Sequence, residues 1–268
     1  MPIDEAGLNE SSGLAASDRN PGVLWSHNDS GRDAELFAFT DDGLAVATLT
    51  LPGVDVVDWE DLALGPDAGG RPFGALYIGD IGDNRGSRRF ISVFRVPEPD
   101  LTGVVPGEPV TLTASDVERF DLTYEDGPRD AEALLVDPID GAVLIATKTT
   151  ETAALYRADL TTDTVLERQT DVAVPGLVGL TRLVTGGAVS PAGDRVVLRT
   201  YIAAWWWPVA PGQSVADAMT AIPERISLPL MRQGEAITFS ADGETLYVSS
   251  EGSPALLGSV PAPAAGAP

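Results

Sequence analysis

A β-hairpin motif that recurs along the chain limits the fold more than any other feature of the sequence. Its clearest copy spans residues 233–251, where a short apolar strand at 236–240 is followed by the turn Ala-Asp-Gly and an alternating return strand at 245–248. Glycine in such a turn can adopt the positive φ that tight hairpins require. Because the first strand begins where the second strand ends, we expect Glu235 and Glu251 to lie at the same edge of this hairpin.

Four earlier segments follow the same template, at 11–31, 58–84, 130–148 and 185–201. The residues that align at the start of the five first strands are Ser12, Glu60, Glu132, Thr185 and Glu235, with spacings of 48, 72, 53 and 50 residues. Periods of roughly 40 to 50 residues built from short strands are typical of a β-propeller, in which each blade is one four-stranded sheet. The sequence therefore predicts an all-β fold, a β-propeller with five blades of four antiparallel strands.

Further strands complete the predicted blades. Third strands are expected at 35–39, 91–95, 154–157, 205–207 and 255–260, and fourth strands at 45–51, 118–124, 164–174 and 224–228. The last blade has no fourth strand of its own, so we expect N-terminal residues to pair with it, since an unpaired edge is a liability. Six blades are the alternative, because the 72-residue spacing leaves room for one around 99–117. The Pro and Gly content of that segment favours a long loop.

The composition agrees with one all-β unit. The chain has 268 residues, of which 44% are hydrophobic, with 28 Gly and 21 Pro and no sustained helical period. We expect a single propeller domain over 1–260 and a Pro/Ala-rich tail over 261–268. No apolar run reaches the roughly 18 residues of a membrane span. A net charge of −23 disfavours nucleic acid and anionic membranes as partners.

The same charge suits cation binding or a saline exterior. The N-terminus carries no signal-peptide pattern. We expect an extracellular or cell-surface protein whose signal peptide has been removed, with a cytoplasmic location as the alternative. The absence of cysteine excludes disulfides and thiol chemistry and leaves the compartment open. We also expect a monomer that acts on a small molecule.

The candidate site follows from the repeat. In a propeller, first-strand starts and second-strand ends gather on one face around the central channel, which places Glu60, Glu132 and Glu235 at one level of it. The residues predicted to surround these glutamates and bind substrate are Asp29, Asp58, Asp83, Asn84, Asp130, Arg199, Tyr201, Gln233 and Glu251. Solvated strand ends with no further role are the alternative interpretation.

Three carboxylates in a narrow channel cannot all stay ionised without compensation. A cation could lie among them, Lys148 and Arg199 could neutralise them, or some could hold protons. Hard oxygen ligands suit Ca²⁺, and suit Mg²⁺ less well, whereas a chain without Cys and with one His disfavours Zn²⁺ and copper. We therefore predict Glu60, Glu132 and Glu235 as ligands of Ca²⁺ and as catalytic residues.

Two side chains are the only ones of their type in the chain, His27 and Lys148. His27 ends the second strand of the first hairpin and is a candidate general base, or else a turn residue that bonds nearby backbone. Lys148 is a candidate nucleophile, or else an ion-pair partner of the carboxylates. The run Asp80-Ile-Gly-Asp-Asn84 has the composition of a calcium loop without the EF-hand spacing. Glycine-rich phosphate-binding motifs are absent, and we expect no nucleotide, flavin or haem.

The residues around the first three hairpins carry a resemblance. The runs Ser-Gly-Leu-Ala-Ala-Ser, Leu-Trp-Ser-His-Asn-Asp-Ser-Gly, Asp-Trp-Glu-Asp-Leu-Ala and Tyr-Ile-Gly-Asp-Ile-Gly-Asp-Asn-Arg resemble a group of largely uncharacterised actinobacterial β-propeller proteins. More distantly, the chain is similar to gluconolactonase and diisopropyl-fluorophosphatase-like propellers. Those proteins hold an axial Ca²⁺ with Glu, Asn and Asp, and the ion polarises a lactone or phosphoryl oxygen. Here three Glu would replace that mixed set.

These observations favour a hydrolase that acts on a small ester, lactone or phosphoester-like substrate with a divalent cation in a central carboxylate pocket. Two alternatives stay open. Five-bladed glycoside hydrolases also place carboxylates in a central pocket, so a pair of these Glu could cleave a glycoside without metal. A non-catalytic propeller that binds a ligand or a protein fits the fold equally well.

Overall fold

In the computed structural model, the chain is described over residues 1–160, 164–176, 179–264 and 266. Strands dominate the described residues, which form twenty β-strands, one four-residue α-helix at Val215–Ala218 and one 3-10 turn at Gly179–Thr181. The predicted all-β fold is confirmed.

The strands follow one another at short intervals along the chain. The first ten are β1 (Ser11–Ala16), β2 (Val23–Asn28), β3 (Glu35–Thr40), β4 (Ala45–Thr50), β5 (Trp59–Gly65), β6 (Ala75–Asp80), β7 (Ile91–Pro97), β8 (Val110–Thr113), β9 (Glu118–Tyr124) and β10 (Ala131–Val136). The other ten are β11 (Val143–Thr147), β12 (Ala153–Ala158), β13 (Thr164–Val172), β14 (Val184–Val189), β15 (Arg195–Thr200), β16 (Ala204–Pro208), β17 (Glu224–Ile226), β18 (Gly234–Phe239), β19 (Thr245–Ser250) and β20 (Leu256–Pro261).

These strands pair as antiparallel meanders. β1 to β4 form the first, β5, β6, β7 and β9 the second, β10 to β13 the third, β14 to β17 the fourth, and β18 to β20 the fifth. A parallel contact between β9 and β13 joins the second and third meanders into one sheet of eight strands. All five predicted hairpins are present, and the predicted third and fourth strands begin and end within two residues of the observed ones.

The first strands of the five meanders lie next to one another. β1 packs against β5 and β18, β5 against β10, β10 against β14, and β14 against β18, so their contacts close on themselves. The backbones approach closely enough that Gly186 has the carbonyl oxygen of Glu235 only 2.8 Å from where a Cβ would lie. Glycine is required there because any side chain would collide with the neighbouring strand.

Apolar side chains fill the spaces between neighbouring meanders. Trp25 of the first meander and Trp59 of the second share one cluster, whereas Leu135 of the third and Trp207 of the fourth share another. All four side chains are at most 1% exposed. Burying a large apolar side chain contributes about 1.5–3 kcal/mol, so these layers hold the sheets together.

The N-terminus pairs with the last strand, as predicted. Pro2 forms an antiparallel bridge with Leu256, Ile3 donates its N–H to the carbonyl of Ala255 at 2.9 Å, and Leu257 donates to the carbonyl of Met1 at 2.8 Å. This pairing supplies the fifth meander with the edge contact that its three strands leave open.

The segment 99–117 differs from the predicted loop in one respect. It contains β8, which pairs in parallel with the outer edge of β4 from Val110 to Thr113. The half-buried Leu112 packs against the apolar cluster between the first two meanders, and this contact stabilises the pairing of β8 with β4. The division into a domain over 1–260 and a tail over 261–268 stays a prediction, and residues 265, 267 and 268 lie outside the described ones. None of the helices in the described part of the chain has the length and apolar character that crossing a membrane requires.

Candidate functional site

A β-bulge occurs at the start of each first strand, at the aligned positions. The pairing register shifts between Trp59 and Asp61 and between Ala131 and Ala133, which bracket Glu60 and Glu132. The corresponding shifts in β1, β14 and β18 include Ser12, Thr185 and Glu235. A bulge leaves one residue out of the ladder and turns its side chain in a new direction. We call these five residues the inner ring.

The two hydroxyl residues of the inner ring bond neighbouring backbone. Ser12 Oγ donates to the carbonyl of Glu60 at 2.7 Å, and Thr185 Oγ1 donates to the carbonyls of Gly234 and Glu235 at 3.1 and 3.0 Å. Both groups are therefore engaged in holding first strands together. The chemistry of the ring is left to its three glutamates, which are all 5–6% exposed.

Glu60 belongs to a group of three acidic side chains. Carboxylate oxygens of Asp29, Asp58 and Glu60 all lie within 4.8 Å of one another, the one such group of three His or acidic side chains in the described part of the chain. We call it the acidic cluster. Asp29 follows β2, where its N–H bonds the carbonyl of Glu10 at 3.0 Å, and Asp58 precedes β5, where its N–H bonds Asp80 Oδ1 at 3.1 Å. Neither Asp58 nor Glu60 has a side-chain hydrogen bond or an ion pair among the described residues.

The Asp80–Asn84 run builds one wall of this cluster. A Cβ on Gly82 would collide with Glu60 Oε1 and Asp58 Oδ2, so only glycine allows both carboxylates to approach this backbone. Asp80 accepts the N–H groups of Val57 and Asp58 and pairs with Arg88 at 2.7 Å. Gly82 of this run therefore lies directly beside the acidic cluster, and Asp80 holds the backbone that precedes β5 in place.

Burial and mutual repulsion act on all three acids. Burial raises the pKa of Glu60 well above its usual range, and the charges of Glu132, Asp29 and Asp58 raise it further. Burial also raises the pKa of Asp58, with Asp29 the next cause, and burial raises that of Asp29. A cation bound among them would relieve this repulsion. The carboxylates that meet are thus a different set from the three glutamates predicted as ligands, with Glu60 in common.

Glu132 is instead paired with Lys148. Lys148 Nζ forms an ion pair with Glu132 Oε1 and lies 3.1 Å from the hydroxyl of Tyr201. Burial raises the pKa of Glu132 to about 7, against the opposing charge of Lys148. The pKa of Lys148 is raised, because the attraction of Glu132 and the bond to Tyr201 outweigh burial, which lowers it. Lys148 therefore makes the contact that the ion-pair interpretation describes, and a part for it in a reaction stays a prediction.

Arg199 was predicted as one of the groups that could neutralise the glutamates, and its hydrogen bonds to oxygen are to backbone. Its side chain is 1% exposed, and Nη1 donates to the carbonyls of Ala236 and Ser249 at 2.6 and 3.0 Å. Burial lowers the pKa of Arg199 to about 10, while the charge of Glu235 opposes that change. No ion pair of Arg199 occurs among the described residues, so it ties the fourth meander to the fifth.

Glu235 is the third glutamate, and its carboxyl group has no hydrogen bond or ion pair among the described residues. Burial raises its pKa to about 8, and Glu132 and Glu251 raise it further. Glu251 accepts a hydrogen bond from Gln233 Nε2 at 2.5 Å. The start of β18 and the end of β19 therefore lie at the same edge of the hairpin, as predicted. Gln233 has a φ of 45°, the one positive φ of a described non-glycine residue, and such backbone strain is concentrated at functional sites.

Asp83 and Asp130 lie together beside the ring. Asp83 donates its N–H to Asp130 Oδ1 at 2.9 Å, and its own Oδ2 accepts the N–H of Arg88 at 2.8 Å. Asn84 is exposed at the rim. A groove of about 440 Å³ starts here and runs outward, lined among others by Asp83, Asp130 and Lys148.

His27 is fully buried at the end of β2. The ring is 0% exposed, Nδ1 lies 2.8 Å from the carbonyl of Asn28, and Trp59 packs edge-on with ring centres 5.5 Å apart. Burial lowers its pKa to about 4. As placed, His27 cannot touch a molecule bound over the channel, which removes the physical basis for its predicted role as a base.

Asp61 is a residue of interest that the sequence interpretation passed over. It is 0% exposed and accepts backbone N–H groups from Leu62, Leu134 and Gly187 at 2.8, 2.9 and 3.2 Å, which belong to three different first strands. Burial raises its pKa well above the usual range, opposed by these bonds. The available signal was the pair Glu60-Asp61, because two consecutive acids on a buried strand cannot both face solvent unless a bulge intervenes.

A second cavity lies at the opposite end of the first strands. Its walls are mostly apolar and include Leu62, Leu64, Val136, Val189 and Phe239. None of the candidate polar residues lines it. The two ends of the channel region therefore differ in character, acidic at one and apolar at the other.

Comparison with known proteins adds two distant structural neighbours. No family model matches the chain, and no curated protein matches it. Among solved structures, it is similar to a gluconolactonase from Xanthomonas campestris, at 15% identity and a TM-score of 0.48, over 96% of this chain and 88% of that one. It is also similar to a candidate 6-phosphogluconolactonase from Bacteroides uniformis, at 15% identity and a TM-score of 0.42, over 93% of this chain and 67% of that one. Both neighbours are lactonases by name, and the resemblance to actinobacterial propellers stays a prediction. At this similarity, activity must be inferred from the side chains of the chain itself.

Proposed function

We propose that the chain is a five-bladed β-propeller that hydrolyses a small ester or lactone with the help of a divalent cation. The observation that carries the proposal is the acidic cluster, in which Asp29, Asp58 and Glu60 bring three carboxylates within 4.8 Å of one another at the ring face. The five meanders would be the blades, since their first strands are adjacent in cyclic order.

The acidic cluster fits Ca²⁺ by the chemistry of its donors. All three side chains offer hard oxygen atoms, which is the ligand type that Ca²⁺ prefers. Glu60 is 5% exposed and its carboxylate has no hydrogen bond or ion pair among the described residues, and the absence of a side chain at Gly82 lets its Oε1 lie close to the backbone there. Asp29, Asp58 and Glu60 would hold the ion, which would supply Lewis-acid polarisation of the substrate carbonyl.

The remaining side chains of the ring face would provide hydrogen bonds and proton transfer. Lys148 and Tyr201 carry N–H and O–H groups that can donate to an oxygen on which negative charge develops, and Glu132 holds the ammonium in place. Glu235 keeps its proton near neutral pH because burial raises its pKa to about 8, and it can protonate the alcohol that leaves. Glu132, whose pKa burial raises to about 7, can accept the proton of the attacking water.

The cation is tested by thermal unfolding with and without a chelator. Ca²⁺ that binds only the folded protein should raise the melting temperature, with about 2.7 kcal/mol of stabilisation at a hundredfold excess over Kd. Glu60→Gln and Asp58→Asn should abolish this response. Glu132→Gln should keep most of it, because Glu132 is paired with Lys148, and Glu244→Gln in an exposed turn is the control. A melting temperature that ignores both chelator and Ca²⁺ contradicts the proposal.

Activity is tested on a panel of lactones and aryl esters. Hydrolysis should require Ca²⁺ and should fall with Glu60→Gln and Lys148→Met, roughly 10²-fold or more for each. Activity that persists in chelator would exclude the cation from the reaction.

Glycoside hydrolysis is the second candidate, and one observation favours it. Burial raises the pKa of Glu235 to about 8 and that of Glu132 to about 7, so protonated and ionised carboxyl groups coexist at the ring near neutral pH. An acid and a base of this kind are what glycoside cleavage requires. Turnover of aryl glycosides in the presence of chelator would establish this function and exclude the ester hydrolase.

A further inference from the structure

We infer that the groove beside the ring binds a primary ammonium group, so that the substrate of the proposed hydrolase carries an amine. The groove lies between the second and third meanders and begins at Asp83, Asp130 and Lys148. Its volume of about 440 Å³ is in the range of small-molecule sites. The hydrolysis of an amine-bearing ester rests on the proposed function, whereas the ammonium site is argued from the side chains of the groove alone.

The charges of the groove are unbalanced in favour of the acids. Every basic side chain that lines it already has an acidic partner: Lys148 pairs with Glu132, Arg129 with Asp126 at 3.1 Å, and Arg168 with Asp171. Arg88 and Arg89 line the adjoining small cavity, where Arg88 pairs with Asp80 at 2.7 Å and Arg89 is exposed to solvent. These pairings leave the basic groups of the groove already neutralised.

Asp83 and Asp130 have no ion pair among the described residues. Among the described residues these two carboxylates bond to backbone only: Asp130 accepts the N–H of Asp83, and Asp83 accepts the N–H of Arg88. Asp83 is 5% exposed, so an uncompensated carboxylate at this depth is costly. A cationic ligand group would pair with both acids and recover that cost.

A buried hydroxyl group points to the same ligand independently of the acids. Tyr124 is 6% exposed, and its Oη has no hydrogen-bond partner although it is shielded from solvent. Tyr124 and Asp83 line a small cavity that adjoins the groove and shares Asp83 and Arg129 with it. Buried hydroxyl groups nearly always have a partner, so Tyr124 Oη is able to accept a hydrogen bond from a group that enters the small cavity.

The type of cation follows from the acceptors. An ammonium group has three N–H donors and no acceptor. Asp83 and Asp130 offer carboxylate acceptors at the start of the groove, and Tyr124 offers its Oη from the adjoining small cavity that Asp83 also lines. Tyr156 packs edge-on against Tyr124 with ring centres 4.8 Å apart, which adds aromatic surface for the alkyl chain that carries the amine. A neutral polyol would leave both carboxylates unpaired, and an anion would be repelled.

The test compares two esters that differ only at the end of the acyl chain. The nitrophenyl ester of 6-aminohexanoic acid ends in an ammonium group, and that of heptanoic acid ends in a methyl group of similar size. Hydrogen bonds between the ammonium group and the carboxylates should make the wild type prefer the amino ester in kcat/KM by about tenfold or more. Asp83→Asn and Asp130→Asn should abolish the preference, so that the ratio of the two kcat/KM values falls to about one, whereas Glu244→Gln in an exposed turn should keep the preference and the turnover of both esters.

Direct binding separates the groove from the reaction. Calorimetry should detect hexylammonium but not hexanol, and the affinity should fall about tenfold in Asp130→Asn and severalfold in Tyr124→Phe, which removes only the hydroxyl. Glu244→Gln removes the same charge from an exposed turn and should bind as wild type does. If hexylammonium binds but neither ester is hydrolysed, the proposed function is wrong and the assignment of the groove as an ammonium site stands. If both esters have equal kcat/KM and hexylammonium gives no heat of binding, the groove is not an ammonium site.

Discussion

At the residue scale, the inner ring shows how one position can serve different purposes. Ser12 and Thr185 donate hydrogen bonds to neighbouring backbone, Glu132 pairs with Lys148, and Glu60 joins the acidic cluster. Each of the five residues lies at a β-bulge in its own first strand, and the bulge sets the direction of the side chain. The neighbouring groups then determine which bonds that side chain makes. Equivalence in a repeat therefore predicts location better than role.

His27 provides a test of burial at this scale. Its folded-state pKa is lowered by burial to about 4 from an ordinary value of 6.5, so the neutral ring stabilises the fold fully above pH 6.5. That stability is lost as the pH falls from 6.5 towards 4, because the unfolded chain gains the proton first. We expect a loss of about 2 kcal/mol between pH 6.5 and pH 5 from this group.

Urea unfolding at the two pH values checks this expectation, and His27→Gln should lose less stability than the wild type over the same interval. Because the chain has one histidine, its ring proton gives a single NMR signal that needs no assignment. That signal should not shift between pH 8 and pH 5. A midpoint near pH 6.5 would show that the ring reaches solvent, and would restore it as a candidate base.

At the scale of elements, the last meander depends on a segment from the other end of the chain. β18 to β20 are three strands, and residues 1–3 pair with β20 through the bonds between Met1 and Leu257 and between Ile3 and Ala255. Ile3 is 2% exposed and shares a core cluster with Phe37 and Leu257. Closure therefore combines backbone pairing with apolar packing.

Shortening Ile3 should weaken this closure. Ile3→Ala should lower the free energy of unfolding by about 2–4 kcal/mol, as for other large-to-small changes in a core. Ile222→Ala is the matched control, because Ile222 is 92% exposed and its loss should cost less than about 0.5 kcal/mol. Equal stability of the two variants, measured by urea unfolding, would mean that the N-terminal segment does not contribute to closure in solution.

At the scale of the whole molecule, Asp61 links first strands from three meanders. Its carboxylate accepts the N–H of Leu62 on β5, of Leu134 on β10 and of Gly187 on β14, and no solvent reaches it. Sequence separations of 73 and 126 residues between partners make this a long-range constraint. A single side chain thereby fixes the mutual position of three sheets.

Removing that acceptor should affect global stability. Asp61→Ala leaves three buried N–H groups unsatisfied, each costing about 1–3 kcal/mol, so we expect a loss of at least about 3 kcal/mol. Asp61→Asn keeps one acceptor oxygen, which can serve the N–H groups of Leu134 and Gly187, and should cost less than the alanine change. Unfolding of both variants in urea is the measurement, and an alanine variant as stable as the asparagine variant would contradict the linking role.

The sequence by itself determined the local structure of this protein. Alternating apolar residues and Gly-containing turns act over a few residues, so they predicted the five hairpins, most strand bounds and the aligned ring of Ser12, Glu60, Glu132, Thr185 and Glu235. They also predicted the pairing of the N-terminus with the last strand, because an unpaired edge is unfavourable in any sheet. The same local patterns predicted which residues lie at the strand ends around the ring, and those residues were the candidates for the site.

Only the tertiary structure decided which of those residues meet. Asp29, Asp58 and Glu60 come from two different meanders, and their approach depends on Gly82, a contact that no local pattern encodes. The burial of His27, the bonds of Arg199 to backbone and the three acceptor bonds of Asp61 likewise arise where sheets pack against one another. Strand propensity acts along the chain, whereas charge pairing and desolvation act through space, and the site is set by the second kind of interaction.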